Sequence, residues 1–227
     1  NGIFRAISNF DSASGTTFEN NGYGYISGEL AFEGESDNRG LLEITTRVNV
    51  NPSAVFRNTC TLLSHGPYNV NGNYANDGLA FVYADGGNIE FNVTSPGIVT
   101  QGPQGQVIVT SSDAATHQAN LRVDGKLQGE GSYYVEDATV CQGSAIGTSE
   151  ATPIQFFDAS PPSLPQLFDT QSGTVTFVVR PGAAPTLPSL AEVRQGLIGS
   201  DCRTVESCTD TVPAGQRIGV AKGKFEV

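Results

Sequence analysis

The sequence has no methionine and no tryptophan, and only three of its 227 residues are lysine. It also lacks any apolar run near the roughly 18 to 20 residues that a membrane-spanning helix needs, so we expect no insertion into a membrane. Because methionine is absent, Asn1 is not an initiator residue, and we favour removal of a secretory signal upstream of it. These features predict an extracellular protein, secreted or held at the cell surface.

Basic residues are scarce as well. The chain has 12 lysines and arginines against 23 acidic residues, which gives a formal net charge of −11. The basic residues are scattered singly, so the field of the protein would repel a phosphate backbone. We therefore expect no nucleic-acid partner. The acidity favours solubility, and it also leaves carboxylates that could ligate Ca²⁺.

Cysteine is rare, with four residues in the chain. Four cysteines can form two disulfides in three ways, and the sequence alone does not decide between them. The cysteines are Cys60, Cys141, Cys202 and Cys208. Pairing of the last two would close a small loop and leave the first two as a long-range disulfide. A metal site is the competing interpretation, but no CxxC spacing occurs, and His65 and His117 are distant from the cysteines in sequence. We favour disulfides.

Glycine and proline, by contrast, are frequent, with 27 and 12 residues, and they divide the chain into short segments. Eleven of these segments alternate or run apolar, which is typical of β-strands, and no repeat of fixed period accompanies them. Asp124-Gly125 predicts a two-residue type I′ hairpin between a strand that ends near Val123 and one that begins near Lys126.

One segment predicts a helix. Ser189 and Glu192 have the spacing of a capping box, and Leu190 and Val193 fall on one face. We expect one or two helical turns there. Many short strands with at most one short helix predict an all-β fold. An antiparallel two-sheet jelly-roll sandwich, formed by residues 1–227 as a single domain, fits the length best.

The stretch NDGLAFVYA resembles the Asp-Gly-Leu-Ala-Phe segment of L-type lectins, in the concanavalin A-like lectin/glucanase superfamily. NIEFNV is similar to the next strand of those lectins, and LRVDGKLQG resembles the strand-turn-strand of the laminin G-like members. The resemblance implies a jelly roll in which Asp77 hydrogen-bonds sugar hydroxyls. It also implies that Glu90 and Asn92 occupy a Glu-x-Asp pattern that binds a transition metal and Ca²⁺, although asparagine replaces the aspartate here.

The loop HGPYNVNGNYAND supplies the rest of a candidate sugar site. A carboxylate accepts hydrogen bonds from adjacent hydroxyls, an amide both donates and accepts, and a tyrosine ring packs against sugar CH groups. The candidate carbohydrate-binding residues are His65, Tyr68, Tyr74, Asn76 and Asp77. The structural alternative is that Asn and Asp before Gly form an ordinary turn beside half-buried tyrosines.

Three functions follow from these patterns. We favour non-catalytic binding of a carbohydrate or glycoconjugate in recognition or adhesion. The alternative is a structural subunit of an extracellular filament or surface layer, assembled with identical subunits through its terminal strands. A polysaccharide lyase comes third. Such an enzyme needs a base and a group that neutralises a uronate, and nothing in the spacing of the sequence requires its candidate residues to meet. Its candidate residues are His65, His117, Arg122, Tyr133 and Tyr134.

Overall fold

The protein is described here by a computed structural model that covers residues 3–112, 119–129, 131–135, 154–157, 177–179 and 188–195. The strands in this part of the chain form three sheets, and every strand pairs with its neighbours in parallel. The chain visits the three sheets in turn, so that each strand pairs with its counterpart one turn earlier and one turn later. This arrangement is a parallel β-solenoid.

The strands are numbered in chain order and grouped by sheet. Sheet A contains β1 (Ile3–Ala6), β4 (Tyr23–Ile26), β7 (Leu41–Ile44), β10 (Thr61–Ser64), β13 (Leu79–Ala84), β16 (Gln106–Ser111), β19 (Ser132–Val135), β20 (Ile154–Phe157) and β21 (Phe177–Val179). Sheet B contains β2 (Phe10–Ser12), β5 (Leu30–Phe32), β8 (Val48–Val50), β11 (Tyr68–Val70), β14 (Ile89–Val93) and β17 (Ala119–Val123). Sheet C contains β3 (Thr17–Asn20), β6 (Glu35–Asn38), β9 (Val55–Asn58), β12 (Asn73–Asn76), β15 (Ile98–Gln101) and β18 (Lys126–Gly129).

The expected antiparallel jelly-roll sandwich is therefore wrong, and so is the membership of the concanavalin A-like superfamily that went with it. The all-β class is right. Alternating apolar residues mark a strand with one buried face but do not say which strand lies beside it. The strands of this solenoid have three to six residues and pair across whole turns, whereas the jelly-roll interpretation paired strands that are adjacent in sequence.

The predicted hairpin at Asp124-Gly125 shows the same error. β17 and β18 flank this dipeptide but belong to different sheets, and they pair with β14 and β15 of the preceding turn. The amides of Asp124 and Gly125 both donate to the carbonyl of Val93, one turn away. The dipeptide is thus a corner of the solenoid and not a hairpin turn.

Interior side chains stack in rows, because parallel strands in register place equivalent residues directly above one another. One row of sheet B runs Phe10, Leu30, Val48, Tyr68, Phe91 and Leu121. Aromatic rings stack in the same way: the ring centroids of Phe32 and Phe56 lie 4.1 Å apart, and those of Tyr68 and Phe91 lie 5.0 Å apart. These contacts build a continuous core from the first described turn to β19.

A ladder of buried amides runs along the corner between sheets C and A. Each asparagine donates from Nδ2 to the side-chain oxygen of the amide one turn later, over distances of 2.7–2.8 Å. The same Nδ2 also donates to a backbone carbonyl at the start of the next sheet A strand, over 2.9–3.1 Å. The members of this amide ladder are Asn20, Asn38, Asn58, Asn76 and Gln101.

Two residues after Asn38 and two residues after Asn76, the corner allows almost no side chain. A Cβ added at Gly40 would lie 2.0 Å from the carbonyl oxygen of Gly22, and one at Gly78 would lie 2.0 Å from that of Cys60. Glycine at these positions lets successive turns approach closely. The stacking thus requires glycine at these two corners, whereas the corner after Asn58 accommodates the buried Cys60.

The predicted capping box is confirmed. Helix α1 (Leu190–Gln195) begins where the Ser189 amide donates to the Glu192 carboxylate over 2.7 Å and the Glu192 amide donates back to the Ser189 hydroxyl over 3.3 Å. The helix lies on the outside of sheet A, where Val193 packs against an apolar patch. The patch consists of Leu63, Leu79, Phe81 and Ile108.

No helix among the described residues is long and apolar enough to cross a membrane.

We predict that Asn58→Ala lowers the free energy of unfolding by roughly 2–4 kcal/mol, because it leaves the buried Nδ2 of Asn38 without its side-chain acceptor and removes the side-chain donor to Asn76 and to the carbonyl of Leu79. Chemical denaturation followed by circular dichroism measures the change. The matched control is Asn73→Ala, an exposed asparagine on the outside of β12, for which we expect a change within about 0.5 kcal/mol. Equal effects of the two substitutions would contradict a stabilising amide ladder.

Candidate functional site

The outer face of sheet A carries the candidate site. Its outward residues form rows across the strands, since the register is unbroken from β1 to β16. One row reads Arg5, Tyr25, Glu43, Leu63, Phe81 and Ile108, and the next reads Ile3, Tyr23, Leu41, Thr61, Leu79 and Gln106. Helix α1 covers the apolar half of these rows. The half near β1 carries Tyr23 and Tyr25 together with the charged side chains of Arg5 and Glu43.

Glu43 is the centre of a polar cluster at the boundary between the two halves. Its carboxylate is only 4% exposed and accepts hydrogen bonds from three side chains. The Tyr23 hydroxyl donates to Oε2 over 3.0 Å, and Nε2 of His65 lies 2.9 Å from Oε1. Arg194 of helix α1 donates to Oε1 from Nε over 3.1 Å and from Nη2 over 2.5 Å. Together these four side chains form the Glu43 cluster.

The cluster determines the charge states of Glu43 and Tyr23. Burial alone would raise the pKa of Glu43, but the hydrogen bonds from His65, Arg194 and Tyr23 outweigh it and lower the pKa from its usual 4.5 to about 2. Burial and the neighbouring carboxylate raise the pKa of Tyr23. Glu43 is therefore ionised at neutral pH, and Tyr23 remains a protonated donor.

Two adjoining pockets lie beside the cluster. The first has a volume of about 400 Å³ and is lined by Tyr23, Tyr25, Leu41, Glu43 and Arg194. The second, of about 330 Å³, is lined by Ile3, Arg5, Tyr23 and Tyr25. Because the two pockets share both tyrosines, they form one groove across β1, β4 and β7, which we call the tyrosine groove. Each tyrosine is half-buried, with part of its ring open to the groove.

Most of the sugar-binding residues predicted from sequence lie elsewhere. Tyr68, Tyr74 and Asn76 are buried inside the solenoid, where Asn76 is part of the amide ladder and the Tyr74 hydroxyl donates to it over 3.1 Å. Asp77 sits at the following corner, and its Oδ1 accepts the amide of Gln104 over 3.0 Å. His65 alone belongs to the Glu43 cluster. A role of these residues in sugar binding stays a prediction, and their contacts are those of structural residues.

Glu90 and Asn92 both point outward from β14 on sheet B. Asn92 Oδ1 is buried and has no hydrogen-bond partner among the residues that the structure describes. Within the described ranges, no three His, Cys, Asp or Glu side chains lie close enough together to hold a metal ion. The predicted metal site, Ca²⁺ included, therefore gains no support from the described part of the chain.

The lyase residues predicted from sequence do not converge where the structure describes them. Tyr133 is fully buried, and Arg122 lies on sheet B, where its Nε is 3.3 Å from Asp124. The side chain of Tyr134 and all of His117 lie outside the described residues. The residues that do surround His65 are Tyr23, Glu43 and Arg194, which form a set that the sequence reasoning did not assemble.

Cys60 is fully buried at the corner position that glycine occupies in the neighbouring turns. It is the only cysteine among the described residues, because Cys141, Cys202 and Cys208 lie outside them. The disulfide pairing stays a prediction.

Comparisons of the chain with protein-family models, with curated proteins and with solved structures returned no match. The groove therefore has to be interpreted from its own chemistry.

We predict that Glu43→Gln destabilises the protein at pH 7 by roughly 1–3 kcal/mol, because neutral glutamine is a weaker acceptor for Arg194 and His65. Since folding lowers the pKa of Glu43, its contribution is fully present above about pH 4.5 and is lost as the pH falls towards 2. The difference in melting temperature between wild type and variant should shrink over that range. Thermal unfolding monitored by circular dichroism from pH 7 to pH 2 measures it.

Glu33→Gln is the matched control, since Glu33 is an exposed glutamate outside the cluster. Its effect should be small at every pH. A gap between wild type and Glu43→Gln that stays constant down to pH 2 would contradict an ionised Glu43 as the centre of the cluster.

Proposed function

We propose that the protein binds carbohydrate in the tyrosine groove and acts without catalysis in recognition or adhesion. The observation that carries the proposal is the groove itself, in which two tyrosines stand beside a fixed carboxylate and two arginines. Aromatic rings accept the apolar CH face of a sugar, while the guanidinium groups, one of them fixed by the carboxylate, donate hydrogen bonds to its hydroxyls. A pocket that joins both kinds of group on a rigid scaffold suits a carbohydrate ligand.

The rigidity of the scaffold supports this proposal. Tyr25 and Glu43 lie on adjacent strands in register, and Tyr23 is held by its hydrogen bond to Glu43. A ligand would therefore meet side chains that are already in place, which reduces the entropy lost on binding. The groove also runs across several strands, so it suits a chain of sugars better than a single one.

The proposal includes a location and a partner. A carbohydrate or glycoconjugate outside the cell is the partner that we favour. Self-assembly into a filament or surface layer remains the alternative proposal. Static light scattering of the purified protein over a range of concentrations tests it, since assembly would raise the mass with concentration.

A polysaccharide lyase is less favoured for a physical reason. The base of such an enzyme must be free to take a proton, but His65 and Tyr23 both hydrogen-bond to Glu43. In addition, the raised pKa of Tyr23 makes its phenolate costly to form. Binding without cleavage is the better match to this cluster.

A glycan array tests the binding proposal. We expect the wild-type protein to bind at least one glycan and Tyr25→Ala to weaken that binding about 5- to 20-fold, because the ring that packs against the sugar is lost. A parallel assay for unsaturated sugar products tests for lyase activity, and we expect none. Inclusion of EDTA tests whether a metal ion contributes to binding.

Asp77→Ala distinguishes the tyrosine groove from the loop that the sequence singled out, and we expect it to bind as wild type does. Circular dichroism should first establish that both variants are folded. If Asp77→Ala abolished binding while Tyr25→Ala did not, the sugar would bind at the Asp77 corner. If wild type bound no glycan at all, carbohydrate binding would be wrong.

A further inference from the structure

Two arginines line the tyrosine groove of a protein that has few basic residues. Arg5 lines the pocket near β1, and Arg194 lines the pocket near β7. Both are exposed, with 46% of the Arg194 side chain open to solvent. Among the described side chains that line the two pockets, Glu43 is the one acidic residue, so these side chains carry a positive formal charge although the whole chain carries −11. This local reversal of charge marks the groove as a place for an anion.

Arg5 has its hydrogen-bond donors available. Its guanidinium carbon lies 5.3 Å from the centre of the Tyr25 ring, and it makes no ion pair with any described residue. Contact with an aromatic ring stabilises the cation but uses none of its five N–H donors. The planar donor group is therefore held over the groove and is free to bind a carboxylate or a sulfate in a bidentate manner.

Arg194 is also held in place, in its case by hydrogen bonds to a carboxylate. Its Nε and Nη2 donate to Glu43, whereas its Nη1 forms no hydrogen bond to a described residue. Glu43 is also bonded to Tyr23 and His65, so the carboxylate is well satisfied without a further donor. Arg194 thus retains donors for a ligand in the first pocket.

The spacing of the two arginines suits a polymer. Arg5, Tyr25 and Glu43 occupy the same row on the consecutive strands β1, β4 and β7. Neighbouring strands lie about 4.8 Å apart, so Arg5 and the Glu43–Arg194 pair are separated by about 10 Å with Tyr25 between them. A glycan that runs across the strands would meet a cation, an aromatic ring and a second cation in succession.

We propose that the ligand of the tyrosine groove is an acidic glycan whose carboxylate or sulfate groups pair with Arg5 and Arg194. This inference rests on the proposed function and names its ligand class. A neutral glycan would leave the Arg5 guanidinium without an anionic partner as binding removed its water, which costs free energy. An anion on the sugar replaces that water with charge-assisted hydrogen bonds.

Titration calorimetry with three probes tests the inference. The probes are oligogalacturonate, which carries carboxylates, dextran sulfate, which carries sulfates, and neutral dextran of matched length. We expect at least one acidic probe to bind more tightly than dextran, with an affinity that falls as salt rises. Arg5→Gln should weaken binding of that probe about 10- to 100-fold, and Arg5→Lys should weaken it less. The relative affinities of the two acidic probes tell whether carboxylate or sulfate is preferred.

Arg57→Gln is the matched control, because it removes the same charge from a side chain of similar exposure on sheet C. Arg57 is 45% exposed and pairs with Glu35 and Asp37, away from the groove. It should leave the affinity for all probes within about twofold. An equal loss of affinity in Arg5→Gln and Arg57→Gln would overturn the inference, because it would indicate a general effect of net charge.

Two further results separate the inference from the proposed function. If glycans of the array bind through Tyr25 but neutral ones bind as tightly as acidic ones, the proposed function stands and the acidic ligand is wrong. If no glycan and no probe binds the wild-type protein, both are wrong.

Discussion

The register between successive turns is the constraint on which the rest of this structure depends. Backbone N–H and C=O groups inside the solenoid have to be paired, and they are paired with the turn before and the turn after. The amide ladder fixes that register at one corner, since each asparagine bonds both the next side chain and the backbone that starts the next sheet A strand. With this corner fixed, the strand residues of each turn lie above their counterparts in the turn before.

That register also builds the groove. Arg5, Tyr25 and Glu43 are separated by 20 and 18 positions in the chain, yet they stand side by side because their strands are stacked in register. Arg194 comes from 151 positions beyond Glu43 and reaches it because α1 packs its apolar side on sheet A. The apolar patch under α1 therefore contributes to the polar chemistry at its edge.

The sequence predicted the local features of this protein and missed the long-range ones. The all-β class and the capping box of Ser189 and Glu192 depend on neighbours in sequence, and they were predicted correctly. The strands were predicted only in part, because several of the eleven expected segments each contain two short strands and β3, β6, β11, β12 and β15 were missed. The pairing of strands depends on contacts across whole turns, and it was predicted wrongly. Of the Glu43 cluster, only His65 was anticipated, because nothing local connects Glu43 with Arg194. A signal for the groove did exist: Tyr23 and Tyr25 alternate in a strand, which places both rings on the same face.

The solenoid also left a signal that a search for a fixed period misses. Sheet A strands begin at Tyr23, Leu41, Thr61 and Leu79, at intervals of 18, 20 and 18 residues, and an asparagine stands three residues before each. Loops of different length between the sheets spoil the period but leave Asn-x-Gly or Asn-x-Cys at these four corners, because the asparagine belongs to the amide ladder and the turns approach closely at Gly40 and Gly78. The lectin-like NDGLAF is one copy of that motif. Its likeness to a lectin segment arises because any corner that leads into a buried strand needs a polar amide, a small residue and alternating apolar residues.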